Sequence, residues 1–437
     1  MQIGFARKTI TPIGSELMGG YSVENRYSKG VMDELYVRVV ILQQTDAILV
    51  LVNYDLVAVD ELLVQPIVEY LKQYQISRDF VVVTATHTHA SIGGILETRS
   101  GVLKGSRECF MLTNLALIDQ ILATTYEAIE EALQGLSEGK LEIAFDQMSG
   151  IGSNRNDRQQ SGDSDLLVVK LTNQTGYIYL IKFACHPTVL NSDNRYFSAD
   201  FPGAVSQLLE EEGACFSCFL NGAAGDLSTR FTRQASNAQE MKRLGHLIVD
   251  KISQLDLQGC QVKEIESRSF SHSIGIKSYL PEKQALVQVE KYQTLINSED
   301  FSQMAPPKQR QVESKLEGAI CHYHLTRNQL NKDEITIDFK IIRFNEMYFI
   351  LIPGELFSHL GHQLERSQVQ VIGYANGYYG YFPDEKAYEA AYYEANASHF
   401  APGESERLVQ KIADEIQKMK EEYNQQIFDQ YYRYPKH

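Results

Sequence analysis

Along the first half of the chain the apolar positions switch between two periods. Residues 35–42 (LYVRVVIL) and 47–55 (AILVLVNYD) are apolar, β-branched runs joined at the polar break 43–46, which predicts a strand hairpin. Residues 59–74 carry apolar side chains at helical spacing, and residues 79–86 (DFVVVTAT) form a short run suited to a buried strand. Residues 114–136 predict a long amphipathic helix closed near Gly135. This order of elements predicts an α/β fold, a sheet covered by helices.

The hairpin pattern recurs. Residues 166–187 read as strand, turn at 174–176, strand, then His186-Pro187, and residues 334–355 as strand, turn at 345–346, strand, then Pro353-Gly354-Glu355. The first hairpin ends the same way on Asp55. Three hairpins each deliver a polar residue at the end of an apolar strand, where sheet proteins tend to build sites, and this hints at related sheets around one site. Residues 281–330 differ: they are highly charged, helical in period and broken at Pro306-Pro307, which predicts a helical hairpin insertion. Residues 405–423 predict a last amphipathic helix. The expectation is mixed β-sheets built from strand hairpins and flanked by helices, in a single domain over residues 1–437 with one helical insertion at 281–330.

Composition narrows the function classes. With 43% apolar and 22% charged residues, the 437-residue chain can bury a sizeable core. Its net charge of −15 argues against a nucleic-acid or anionic-membrane surface and is silent on a small substrate. No apolar run approaches the roughly 18 residues of a membrane span, so no integral membrane segment is expected. The opening residues MQIGFARKTITP read as strand and turn rather than a signal peptide, so the expected location is cytoplasmic. Six cysteines do not make a disulfide scaffold, and the lone CxxC of Cys215 and Cys218, inside an apolar run, reads as buried strand thiols.

Four segments carry candidate chemistry. In VVVTATHTHASIGG, His87 and His89 flank Thr88 at a strand end; in an extended chain both would face one cavity, as metal ligands or as merely polar histidines at a loop mouth. His186 ends the second hairpin, either as an ordinary hydrogen-bonded histidine or as a ligand, with Asp193, Asp200 and Ser198 near enough in sequence to fix its tautomer. In NGAAGDLSTR the small residues 222–225 either let backbone approach a ligand or simply make a turn, with Asp226 and Ser228 at the exit. Glu355 reads as the start of a helix, where the dipole favours a carboxylate, while His359 and His362 fit a solvated helix face. Residues 374–395 hold seven tyrosines, which read mostly as amphipathic core. Two histidines and a carboxylate form the donor set of several catalytic zinc sites, whose metal polarises a carbonyl and lowers the pKa of bound water from about 15.7 toward 7.

The ordered set IGFARKTITP, LMGGYS, ATHTHASIGG, SNRND, FACHPT, NGAAGDLS, PGELF, YANGYYGYF and YYEAN resembles the neutral/alkaline non-lysosomal ceramidase family, in its N-terminal catalytic domain. The resemblance implies a zinc-dependent amidase of sphingolipid metabolism, which splits ceramide into sphingosine and a fatty acid, with one zinc per chain. It makes His87 and His186 the histidine ligands, Glu355 the carboxylate ligand and Tyr381 the tyrosine ligand. His89, Arg155 and Tyr393 match residues around the scissile carbonyl that stabilise its oxyanion. Ser228 falls on an active-site serine, either nucleophile or substrate-binding hydroxyl. Attack by a metal-bound water is the preferred expectation, because no unassigned histidine stands next to Ser228 in sequence to activate it. The expected partner is a small N-acyl substrate of lipid character, not a nucleic acid.

The chain departs from the family pattern in three places. No C-terminal immunoglobulin-like domain is expected, ASIGG stands where the family has SGPGG, and DLSTR stands where it has DxSPN. The metal ligands survive these changes, but ceramide specificity does not follow from them. The alternatives are a zinc hydrolase of the same fold acting on another N-acyl amine or ester, and a non-catalytic binding protein with a degenerate site. A TIM-barrel amidohydrolase would need alternating βα units where this chain has hairpins. The metallo-β-lactamase pattern HxHxDH is missing.

Overall fold

The computed structural model describes residues 1–23, 25–157, 165–365 and 368–428. Three larger sheets share one plan: an antiparallel hairpin followed, after a helical crossover, by a strand that pairs parallel with the hairpin's second strand. In the first sheet the hairpin Tyr36–Gln44 and Ala47–Tyr54 is joined by Val81–Ala85 across the helix Glu61–Leu71, with Gln2–Thr9 on its other side. In the second, Asp165–Asn173 and Gly176–Phe183 are joined by Ser217–Asn221 across the helix Asp200–Glu211. In the third, Glu334–Phe344 and Met347–Leu351 are joined by Val369–Ile372 across the short helix Ser358–Leu364. The expected α/β class, mixed sheets built from hairpins and flanked by helices, is observed, and no barrel closes among the described residues.

Period-two alternation explains how the sheets stack. In Tyr36–Gln44, Val37, Val39 and Ile41 face the helices, while Val40 and Leu42 face inward. The inner faces of all three sheets meet there, with Leu49 and Leu51 of the first against Val169 and Leu220 of the second and Ile342 and Leu351 of the third. Both faces of these strands are apolar because both are covered. The helix Leu115–Gln134 packs Ile118, Ile121, Leu122 and Ile129 on the outer face and starts at Asn114, whose side chain accepts from Leu117 N at 3.3 Å.

The charged stretch 281–330 holds the helices Glu282–Ile296 and Pro306–Arg327, packed on each other. Pro306 and Pro307 occupy the first positions of the second helix, where a missing N–H costs nothing. That helix also packs against Tyr393–Ala397 and the turn Val102–Ser106, so it forms a wall beside the site described below. Cys218 is buried in a strand and Cys215 half-buried before it, both as free thiols. Among the described residues no helix is long and apolar enough to cross a membrane.

One hairpin end departs from expectation. Asp55 is fully buried but points away from any site: it accepts from Arg38 Nη1 at 2.8 Å and from Tyr36 N at 3.0 Å. Burial pushes its carboxyl up, opposed by Arg38. What this hairpin supplies is the main chain after Asp55, which the ion pair holds in place. Arg38→Met is expected to lower unfolding free energy by about 3–5 kcal/mol at neutral pH, because it strands a buried carboxylate. The deficit should narrow as pH falls and Asp55 takes up a proton, since a raised native pKa stabilises the protonated fold. Denaturant unfolding at two pH values checks this; a loss under about 1 kcal/mol would mean that the pair anchors nothing.

Candidate active site

The strand Val81–Ala85 stops at Ala85, and the chain then turns with His87 at φ +71°, a left-handed conformation uncommon for a residue with a Cβ. Two main-chain bonds impose the turn: Thr86 N and His87 N each donate at 2.9 Å, to Tyr54 O and Leu56 O. His87 and His89 therefore meet at one centre through a kinked loop, not through the extended-strand alternation that their spacing predicts. Such strain persists only where the surroundings over-determine it, and it marks functional sites. The His87 ring is fixed by Nδ1, 2.6 Å from Val57 O, the main chain just past Asp55.

His186 is fixed the same way. Its Nδ1 lies 2.7 Å from Ala224 O and 2.9 Å from Leu227 O, and its N–H donates to Leu227 O at 3.1 Å. The sequence neighbours do not set its tautomer. Asp200 instead accepts the N–H groups of Val189, Leu190 and Phe201, Ser198 donates to Asp33 at 2.5 Å, and Asp193 is exposed. The NGAAGD loop takes that role because it packs directly on His186. Gly225 is needed there, since a Cβ on it would sit 2.5 Å from Glu355 O.

Glu355 does not open a helix. Glu355–Leu356 pairs parallel with Tyr381–Phe382, with Glu355 directly opposite Tyr381, and the next helix begins at Ser358. The helix dipole thus does not hold this carboxylate; two tyrosines do. Tyr378 Oη donates to Glu355 Oε1, and Tyr374 Oη lies 3.5 Å from Oε2 with its ring stacked on His87 at 4.1 Å. Neither tyrosine stands out in the sequence, where the only signal is the density of tyrosines after residue 374.

These elements aim acceptors at one point. His186 Nε2 lies 3.0 Å and His87 Nε2 3.4 Å from Glu355 Oε2, and His89 Nε2 lies 3.1 Å from His87 Nε2. With Nδ1 of His87 and His186 donating to carbonyls, their Nε2 atoms present lone pairs to one another and to a carboxylate. Burial, with Arg155 and His87, lowers the His186 imidazole to about 4, and burial with His87 and His186 holds His89 well below the usual histidine range. The ring nitrogens of His87, His89 and His186 lie within 4.8 Å of one another, all buried. Two ring-fixed imidazoles and a carboxylate converging in a buried space, with a third imidazole beside them, are suited to a divalent cation.

Beside this cluster, Arg155 donates through Nε to Glu394 Oε1 at 2.6 Å and through Nη2 to Gly225 O at 2.8 Å and Tyr381 Oη at 3.2 Å. The sequence gives no hint of Glu394, which fixes this guanidinium. The Tyr393 ring lies edge-on to Tyr381 at 5.8 Å, and its hydroxyl is 3.9 Å from Cys321 Sγ. Ser228 bridges to the His186 main chain, yet its Oγ accepts only from Arg230 N, at 3.3 Å, among the described residues. His89, Arg155, Ser228, Tyr381 and Tyr393 all line one chamber, and His87 and Glu355 line the recess adjoining it. His359 and His362 are exposed on Ser358–Leu364, outside the cluster.

Residues 1–233 match the family described as neutral/alkaline non-lysosomal ceramidase, N-terminal. The chain belongs to that family. Its fold is similar to that of neutral ceramidase from Pseudomonas aeruginosa, at 18% identity and a TM-score of 0.75, over 96% of this chain and 74% of that one. It is also similar to a ceramidase complexed with C2, at 17% identity and a TM-score of 0.74, over 96% of this chain and 75% of that one. Membership in the ceramidase family supports a hydrolase acting on amide bonds.

If the cluster is a metal centre, purified protein should carry a divalent metal that His186→Ala loses while remaining folded. Tyr378→Phe should weaken metal affinity by about 10–100-fold, the usual effect of removing a partner that orients a ligand. Competition with a chromophoric chelator measures both; unchanged affinity in His186→Ala would remove that residue from the site.

Proposed function

We propose that the chain is a zinc-dependent, ceramidase-like amidase that hydrolyses an N-acyl amide to a carboxylate and an amine. The convergence of the His87 and His186 Nε2 atoms on the Glu355 carboxylate, with His89 beside them, supports this most strongly. His87, His186 and Glu355 would hold one zinc ion per chain, with Tyr381, paired opposite Glu355, in the fourth place. A zinc ion there supplies a Lewis acid that polarises the acyl carbonyl and lowers the pKa of a bound water from about 15.7 toward 7.

The remaining steps belong to the chain's own side chains. Water adds its oxygen to the acyl carbon, the C–N bond breaks, and the leaving nitrogen takes up a proton. Arg155 is held by Glu394 and Gly225 O, so it meets developing charge without reorganising; with His89 and Tyr393 it stabilises the oxyanion, about 2.7–4 kcal/mol for each such donor. His89, on the chamber wall, would take the proton that the attacking water loses and pass it to the leaving nitrogen. Ser228 serves as a binding hydroxyl, because no imidazole among the described residues bonds its Oγ and its neighbour His186 spends Nδ1 on carbonyls. By resemblance the substrate is N-acylsphingosine; another N-acyl amine or an ester would use the same groups.

Two outcomes test this reading. Arg155→Ala and Tyr393→Phe should each cost about 10²–10³-fold in rate, and chelation should abolish turnover. Ser228→Ala should keep its metal and lose only the worth of one hydrogen bond, up to about 3 kcal/mol if charge-assisted. An acyl group trapped on the Ser228 peptide, seen by mass after rapid quench, would overturn the assignment of water as nucleophile.

A further inference from the structure

The cluster opens into a chamber of about 340 Å³ whose charge runs against the rest of the molecule. In a chain of net charge −15, its ionised walls are Arg155, Arg230, Arg233 and Arg310 against only Glu317 and Glu394. Three of these arginines are engaged. Arg155 pairs with Glu394 at 2.6 Å, Arg310 with Glu317 at 2.9 Å and Glu313 at 3.2 Å, and Arg233 donates to the carbonyls of Thr188 and Val189. Arg230 is different: half-buried, it forms no ion pair among the described residues, and Glu317 and Glu394, each bonded to another arginine, act on it only from a distance. It stands two residues from Ser228, and its own N–H donates to the Ser228 hydroxyl. Burial, with Arg310 and Arg155 nearby, draws its proton affinity down to about 10, against the opposing pull of Glu317 and Glu394. A partly desolvated, unpaired cation beside other cations is unfavourable until an anion joins it.

The adjoining recess carries no arginine or lysine among the described residues. It shares His89, Tyr381 and Tyr393 with the chamber, and its walls mix Val102, Leu103, Phe110 and Leu325 with Glu108, His324 and His399. An amide held at the junction with its amine portion in the chamber would set that portion among the arginines. We propose that Arg230, backed by Arg233 and Arg310, is an anion subsite, and that the substrate is an N-acyl amine whose amine portion carries a carboxylate or phosphate. This rests on the amidase reading above and narrows its substrate class away from neutral sphingoid amides.

The test uses the metal-loaded enzyme and two matched pairs: N-octanoylglycine against N-octanoylglycinamide, and N-octanoyl phosphoethanolamine against N-octanoylethanolamine. The charged member should have the higher kcat/KM by about ten- to a hundredfold, mostly through KM, and the preference should shrink with added salt. The pair with the larger ratio identifies carboxylate or phosphate. Arg230→Gln should collapse the ratio and Arg230→Lys should retain part of it. Equal rates within both pairs, or a ratio unchanged in Arg230→Gln, would overturn the subsite and leave the amidase reading standing. If nothing is hydrolysed, calorimetric binding of the charged compounds decides. Binding that is lost in Arg230→Gln keeps the subsite and sinks the amidase reading; no binding sinks the subsite as well.

Discussion

His87 and His186 each spend their Nδ1 proton on a main-chain carbonyl, Val57 O for one and Ala224 O and Leu227 O for the other. That constraint leaves two Nε2 atoms facing the Glu355 carboxylate in a buried space, an arrangement that a cation between them would stabilise. The surroundings serve to keep it in place. Two tyrosines hold the carboxylate, a stacked ring holds His87, and the Arg38–Asp55 pair anchors the segment whose carbonyl fixes His87. His87 accepts a left-handed backbone as part of the same arrangement.

The common plan of the three sheets explains why these pieces meet. Each hairpin's second strand is flanked by a later parallel strand, so each sheet ends toward the same region with its chain free to leave as a loop. The first sheet contributes the carbonyl of Val57 and then the kink at His87, the second contributes His186 and the loop that holds it, and the third contributes Glu355. The wall helix Pro306–Arg327 completes the enclosure and brings Arg310 and Glu317 to the chamber.

Much of this is legible in the sequence because it is written in periodicity. The hairpins, the helix over 115–134 and the strand before His87 each announce themselves by apolar spacing and turn residues, and two of the three hairpin ends do carry residues of the cluster. What the sequence hides is set by contacts distant along the chain. Asp55 looks like a third site residue until Arg38 is seen to consume it. Glu355 looks like a helix start, whereas its pairing with Tyr381 depends on a strand 26 residues later. Tyr374, Tyr378 and Glu394 are invisible as site residues for the same reason: tyrosine spacing fits a core, and a lone glutamate in YYEAN says nothing of an arginine 239 positions away.

The claim on which the rest depends is that one metal ion sits between His87, His186 and Glu355. Anomalous diffraction from crystals of the zinc-loaded protein, recorded on both sides of the zinc absorption edge, tests it directly. The account predicts a single strong peak about 2.0–2.2 Å from Nε2 of His87, Nε2 of His186 and a Glu355 carboxylate oxygen. An edge-dependent peak elsewhere with none in the cluster, or a cluster still without one at saturating zinc, would contradict it.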